Sequence, residues 1–126
     1  MKRFCVFVGV VCLMLSAIAV RLYFCRLNVF LEGEYTAFAK NDEVAQTSIS
    51  KYYERLDIEG NKFDEVIEKL RCKIIRKEEV EGITIVYAYS PFVLKSVFLF
   101  SHSVNIMIAI TDSKTIVGAP LIKGSF

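Results

Sequence analysis

The sequence predicts an α+β domain, an antiparallel sheet with one main helix packed on one face, preceded by an N-terminal hydrophobic signal or anchor helix. Three observations lead there. Phe63, Val66, Ile67 and Leu70 recur at the three-and-four spacing of one buried helical face. From Ile74 onward the pattern changes to period two, most clearly over Ile83–Tyr89 and Val104–Thr111. Residues 54–81 hold sixteen charged side chains and residues 83–126 only four. The helix and first hairpin must therefore supply much of the solvated surface, and the later strands a sheet that the helix covers. The 126 residues allow one domain, and the part beyond the N-terminal segment suffices for a modest core.

The N-terminal segment stands out by charge and hydropathy. The chain carries a formal charge of +2, but residues 1–26 hold Lys2, Arg3, Arg21 and Arg26 with no acid, giving +4 against −2 for residues 27–126. Phe4 to Val20 is a run of 17 residues without a charge, near the lower limit of a membrane-spanning helix. Ala17-Ile18-Ala19 also has the small-x-small form of a signal-peptidase site, with cleavage after Ala19. Residues 1–26 thus read as a cleaved signal peptide or an uncleaved anchor. The anchor is favoured because apolar character continues through Val20–Phe24, with Arg21, Tyr23 and Phe24 suited to an interface. Either way the chain is exported: membrane-anchored facing outward, or secreted if cleaved after Ala19. The small net charge gives no basis for nucleic-acid binding.

Along the body, residues 27–34 read as a connector and residues 35–126 as the domain. Tyr35–Lys40 alternates as a first strand, Asn41-Asp42-Glu43 suits a turn, and Val44–Glu54 is ambiguous between states. Asn61–Arg71 is the clearest helix: Asn61 can accept a hydrogen bond from a first-turn amide, Asp64 and Glu65 suit its positive end, and Lys69 and Arg71 its negative end. Val80-Glu81-Gly82 reads as a hairpin turn. Ile83, Ile85, Tyr87 and Tyr89 point one way and Thr84, Val86 and Ala88 the other. Val93–Phe100 is a second β-rich run, Ser101-His102-Ser103 a turn, and Val104–Thr111 a third run with Ile106, Ile108 and Ile110 on one face. Asp112-Ser113-Lys114 turns into Thr115–Gly118. The sheet is expected mainly from residues 74–122.

Recognisable catalytic and cofactor motifs are absent: there is no G-x-S-x-G, phosphate loop, dinucleotide fingerprint or H-E-x-x-H. No catalytic, cofactor-binding or metal residues are assigned, and the binding residues are unknown. His102 is the sole histidine; Ser101 and Ser103 flank it, but sequence adjacency does not make a nucleophile–base pair. Glu78, Glu79 and Glu81 read as solvated acids beside Lys73, Arg76 and Lys77, whose field they cancel. Cys25 and Cys72 are separated enough to permit a disulfide, but free thiols are the favoured reading; no C-x-x-C occurs, and Cys5 and Cys12 lie in the apolar run. Of the ten Phe, Phe92, Phe98, Phe100 and Phe126 strain the capacity of one helix-covered core. Most are expected inside, and any left outside would mark a partner surface.

The stretches Ser103-Val104-Asn105-Ile106-Met107-Ile108-Ala109-Ile110 and Thr115-Ile116-Val117-Gly118-Ala119-Pro120-Leu121-Ile122 resemble the closing motif of YwmB-like proteins. There a strand with an Asn between apolar residues precedes a Val-Gly-small-Pro-apolar ending. The resemblance implies an export segment, a spore-forming Gram-positive source and a fold like the TATA-box-binding protein, a curved antiparallel sheet with helices on one face. It implies no enzymatic activity or cofactor. Asn105 and Gly118 are the family-like positions. Asn105 is expected to bond nearby backbone and Gly118 to mark a bulge or turn. The functional expectation is a non-enzymatic, envelope-associated accessory or interaction protein, sporulation-linked through the resemblance. Its partners would be the membrane, through residues 1–26, and a protein or second copy of the chain. The alternative is a small envelope hydrolase or ligand-binding domain using His102 with nearby Ser or acidic groups.

Overall fold

In the computed structural model, which describes residues 1–24, 27–38, 53–93 and 96–125, the first element is the helix α1, Lys2–Phe24. Its Lys2–Ala19 stretch has a mean hydropathy of 2.0 and buries nothing against the rest of the chain. Eighteen residues at 1.5 Å each give about 27 Å, close to the hydrocarbon thickness of a bilayer. The expected turn at residues 41–43, the ambiguous run up to residue 52, Cys25, Lys95 and Phe126 lie outside the described residues.

Residues 27–34, read from sequence as a connector, fold onto the domain. They form the short helix α2, Leu27–Phe30, and Leu27 and Leu31 are buried in the main core. The Leu27 amide donates to Oε1 of Glu54, which also accepts from the Tyr35 hydroxyl at 2.7 Å.

The strands are β1 Glu34–Phe38, β2 Tyr53–Glu59, β3 Lys73–Val80, β4 Ile83–Tyr89, β5 Val97–Leu99, β6 His102–Val104, β7 Ile106–Ile110 and β8 Lys114–Ala119. Six form one sheet in the order β1-β2-β8-β7-β4-β3, with every neighbour antiparallel. The α+β class is as the sequence predicts. As expected, residues 74–122 build most of the sheet, through β3, β4, β7 and β8; β1 and β2 add to it from before the helix, and β8 inserts beside β2. β2 is hard to read because Arg55, Asp57 and Glu59 occupy one face of it, so its apolar face shows only Leu56 and Ile58.

The helix α3 runs from Phe63 to Leu70, shorter at both ends than expected. The Asn61 side chain accepts from the Phe63 amide at 3.2 Å, and Glu65 pairs with Lys69 one turn on at 2.7 Å. Arg71 adopts a left-handed φ of 50°, ending the helix as the Cys72 amide reaches back to the Ile67 carbonyl; this is the terminating geometry usually given to glycine. Val66 and Leu70 pack on Leu56, Val86, Ala88, Ile106, Ile108, Val117 and Ala119, all on one sheet face. The other face is not open. Ile85, Ala109 and Ile116 are buried there, and residues 121–125 turn back towards Arg55, Met107 and Gly118. The Lys123 carbonyl accepts from Arg55, and a Cβ on Gly118 would lie 2.6 Å from the Ile122 nitrogen. Gly118 is therefore a close-approach position for the returning tail.

The two-residue turn at Glu81-Gly82, with φ values of 51° and 80°, joins β3 to β4 as expected. Among the described residues of the Val93–Phe100 run, the strand β5 pairs with β6 in a separate two-stranded ribbon and not with the six-stranded sheet. His102 opens strand β6 rather than lying in the turn, which is made by Phe100 and Ser101 at φ 52° and 63°.

Candidate functional site

The two ends of the sheet differ in chemistry. Because β2 pairs Glu54 with Ala119, β7 pairs Ile106 with Ala88, and β3 pairs Lys73 with Tyr89, these residues share one end. Leu27, hydrogen-bonded to Glu54, joins the sheet here; we term it the proximal end. The distal end holds the opposite strand termini: Glu34, Glu59, Val80, Ile110 and Lys114.

The proximal corner is built by β3, β4 and the ribbon. A hollow of about 270 Å³ is lined by Lys73, Ile74, Ile75, Tyr89, His102 and Ser103. A register shift between Ile74 and Arg76 interrupts β3 at this corner; such irregularities bend an edge strand and hinder further pairing. The ribbon turn folds towards β4: Phe100 meets Tyr87 edge-to-face at 5.0 Å, and the Arg76 guanidinium lies 4.4 Å from the Phe100 ring centre. Burial raises the Tyr87 phenol, with nearby Glu78 adding to the effect. Around this corner Ile74, Tyr89 and Phe100 are about 40% exposed and Phe98 is 75% exposed. Phe98 and Phe100 are thus surface residues, against the expectation that most of the phenylalanines are core; Phe92 is half-buried and stacks on Phe30 at 5.1 Å.

Asn105 holds the corner in place. It is fully buried, and its Oδ1 accepts from the Ser90 amide at 2.6 Å while its Nδ2 donates to the carbonyls of Ser90 and Val93. Ser90 Oγ donates in turn to the Leu70 carbonyl, tying the end of α3 to the end of β4. Asn105 bonds nearby backbone as the sequence suggests, but from the junction between β6 and β7 rather than from within a strand.

The distal end carries a broad, shallow hollow of about 850 Å³ along Glu32, Glu34, Asp57, Glu59 and Lys114. Asp57 receives both Arg55, at 2.8 and 3.1 Å, and Lys114 at 3.1 Å. The Arg55 hydrogen bonds hold its carboxyl below the usual carboxylate range despite partial burial, with Lys114 adding to the effect. Among the described residues no three His, Cys, Asp or Glu converge as metal ligands.

The other sequence candidates are dispersed. Glu78 pairs with Arg76 at 2.9 Å. Lys77 leaves by the helix-covered face, 5.2 Å from the Phe63 ring centre, so Lys73, Arg76 and Lys77 form no single patch. His102 and Ser103 both border the proximal hollow, but as successive strand residues they project to opposite faces and cannot form a nucleophile–base pair. Cys72 is a free thiol that burial pushes up to about 12, far from a reactive thiolate. Glu54 and Arg55, buried at the proximal half of β2, were not legible as key residues. The signal that finds them is the alternation Tyr53-Glu54-Arg55-Leu56-Asp57-Ile58-Glu59, once charge is allowed on one strand face.

No protein-family model, curated protein or solved structure matches the chain.

Proposed function

We propose that this chain is a non-enzymatic, envelope-associated interaction domain, exported and held at the membrane by α1. The observation that carries this reading is the Lys2–Ala19 stretch of α1, which has a mean hydropathy of 2.0 and buries nothing against its own domain. A helix apolar on all sides needs an apolar surrounding. The exposed aromatic corner supports a binding role, because Ile74, Tyr89, Phe98 and Phe100 are exposed together, and grouped apolar surface marks an interaction site where a single ring would not. A protein partner or a second copy fits such a surface. The sporulation link has the YwmB-like resemblance of residues 103–122 as its support.

Alkaline phosphatase fused behind residue 126 tests export, since the enzyme is active only outside the cytoplasm. Activity is expected, and an inactive but expressed fusion would overturn the proposal. The size of the product separates cleavage after Ala19 from a retained anchor. The ligand-binding alternative draws on the hollow beside His102. Loss of function in an exported, folded His102→Ala protein would favour it, whereas the interaction reading expects that variant to work and crosslinking to trap a partner.

A further inference from the structure

We infer that the proximal end of the sheet rests on the headgroup layer of an anionic membrane, with Phe98 in the interface and the distal end facing away. The inference rests on the reading of α1 as a retained anchor. Three independent observations meet in it.

The first is reach. α1 ends at Phe24 and Leu27 is already fully buried in the domain core. Three Cα–Cα steps span at most about 11 Å. Val20 to Phe24 carries the helix a further ~7 Å beyond Ala19, roughly the depth of the interfacial layer. The proximal end therefore cannot stand far from the surface where α1 emerges.

The second is charge. At the proximal end and the helix terminus leading into it stand Arg71, Lys73, Arg76 and Lys123, with Lys69 one turn before. At the distal end and the helix start stand Glu34, Glu59, Asp64, Glu81 and Asp112. Lys62 and Lys114 interrupt the acidic end; Glu68 interrupts the basic one, where Arg76 and Lys69 are also ion-paired with Glu78 and Glu65, so that Arg71, Lys73 and Lys123 carry most of the excess. Topology produces this segregation: α3 and β3 abut at the proximal end, so the basic residues beside their junction collect there. A negatively charged surface attracts that end and repels the other.

The third is the aromatic corner. Phe98, the most exposed ring of the described domain, lies on the ribbon opposite Ser103, which borders the same hollow as Lys73 and Tyr89. Aromatic rings flanked by basic side chains are the composition that favours a membrane–water interface.

The chain has no Trp, so one introduced Trp reports alone. Full-length Phe98→Trp, Tyr89→Trp, Val80→Trp and Leu13→Trp variants would be placed in vesicles of phosphatidylglycerol and phosphatidylcholine carrying brominated acyl chains. Val80 is exposed at the distal end of β3 and serves as the contrast. Phe98→Trp is expected to emit at shorter wavelength than Val80→Trp and to lose most of its emission to the brominated lipid. Val80→Trp should keep its emission. Tyr89→Trp should follow Phe98→Trp, covering a folding failure at one position. Removing phosphatidylglycerol should weaken quenching at both proximal positions. Quenching at Leu13→Trp with none at residues 89 and 98 would overturn this inference and leave the anchor standing. A chain recovered from the producing cells that begins at Val20 would overturn the anchor reading and this inference together.

Discussion

The proximal and distal ends of the sheet are built from the same strands yet are held together in different ways. At the proximal end, buried polar groups fix the chain. Asn105 joins the 90–93 loop to the start of β7, Glu54 receives Leu27, and the returning tail passes over Gly118. At the distal end short turns and partly solvated charges prevail, at Glu81-Gly82, Thr111 to Lys114, and Asp57 with Lys114, beside one buried hydroxyl, Thr115, which donates to the Gly60 carbonyl and accepts from the Lys62 amide. The difference teaches where each kind of change is tolerated. A buried group without its partner costs its full desolvation penalty, whereas a solvated turn or ion pair recovers most of its interactions from water.

Substitutions can break or sharpen this contrast. The largest effect is expected at Leu27. Leu27→Ala removes a fully buried side chain and should lower unfolding free energy by about 2–5 kcal/mol, read by urea denaturation in detergent. It should also loosen the domain from α1. A cost no larger than that of a surface substitution would show that α2 is dispensable to the core. Asn105→Ala comes next. It orphans the Ser90 amide and relieves two carbonyls of their donor, at about 1–3 kcal/mol for an unsatisfied buried group. Proteolysis within residues 93–104 should accelerate in this variant.

A matched glycine pair compares the ends directly. Gly118→Ala places a methyl group 2.6 Å from tail backbone and should displace residues 121–125. Gly82→Ala meets open space and bears only the strain of its φ of 80°, about 1 kcal/mol. Gly118→Ala should cost more; equal losses would mean that the tail is not packed on β8. The smallest effect is the pH response of Asp57. Its folded pKa lies below the ordinary value of 3.8, so its stabilising contribution is complete above that value and is lost as pH falls through the lower folded one. Asp57→Asn should therefore flatten the acid limb of the stability curve below about pH 4. An unchanged acid limb would remove Asp57 from the account of the distal end.

Legibility in the sequence followed the same division. The Phe63–Leu70 face and the Ile83–Tyr89 alternation were plain because local periodicity and burial agree there. The ends of α3 were nearly so, except that the helix begins at Phe63 rather than Asn61 and that Arg71 takes the left-handed position beyond its last turn. β2 was hidden because one of its faces is charged and sits under the tail, a non-local fact. The ribbon was hidden because Val93–Phe100 has strand composition, and the pairing of β5 with β6 rather than with the main sheet is a tertiary outcome that composition does not record. The proximal surface was partly legible: surplus Phe pointed to exposed aromatics, but which rings stay outside depends on tertiary packing. That the basic residues gather at one end depends on strand direction, which no local pattern records.

Amide hydrogen exchange of the full-length chain, in anionic nanodiscs and in detergent, tests most directly whether the two ends face different surroundings. Peptides covering residues 73–76 and 97–104 should exchange more slowly in nanodiscs, while those covering residues 80–83 and 111–114 should exchange equally in both. Slower exchange at the distal turns, or no difference at either end, would contradict a proximal end seated on the membrane.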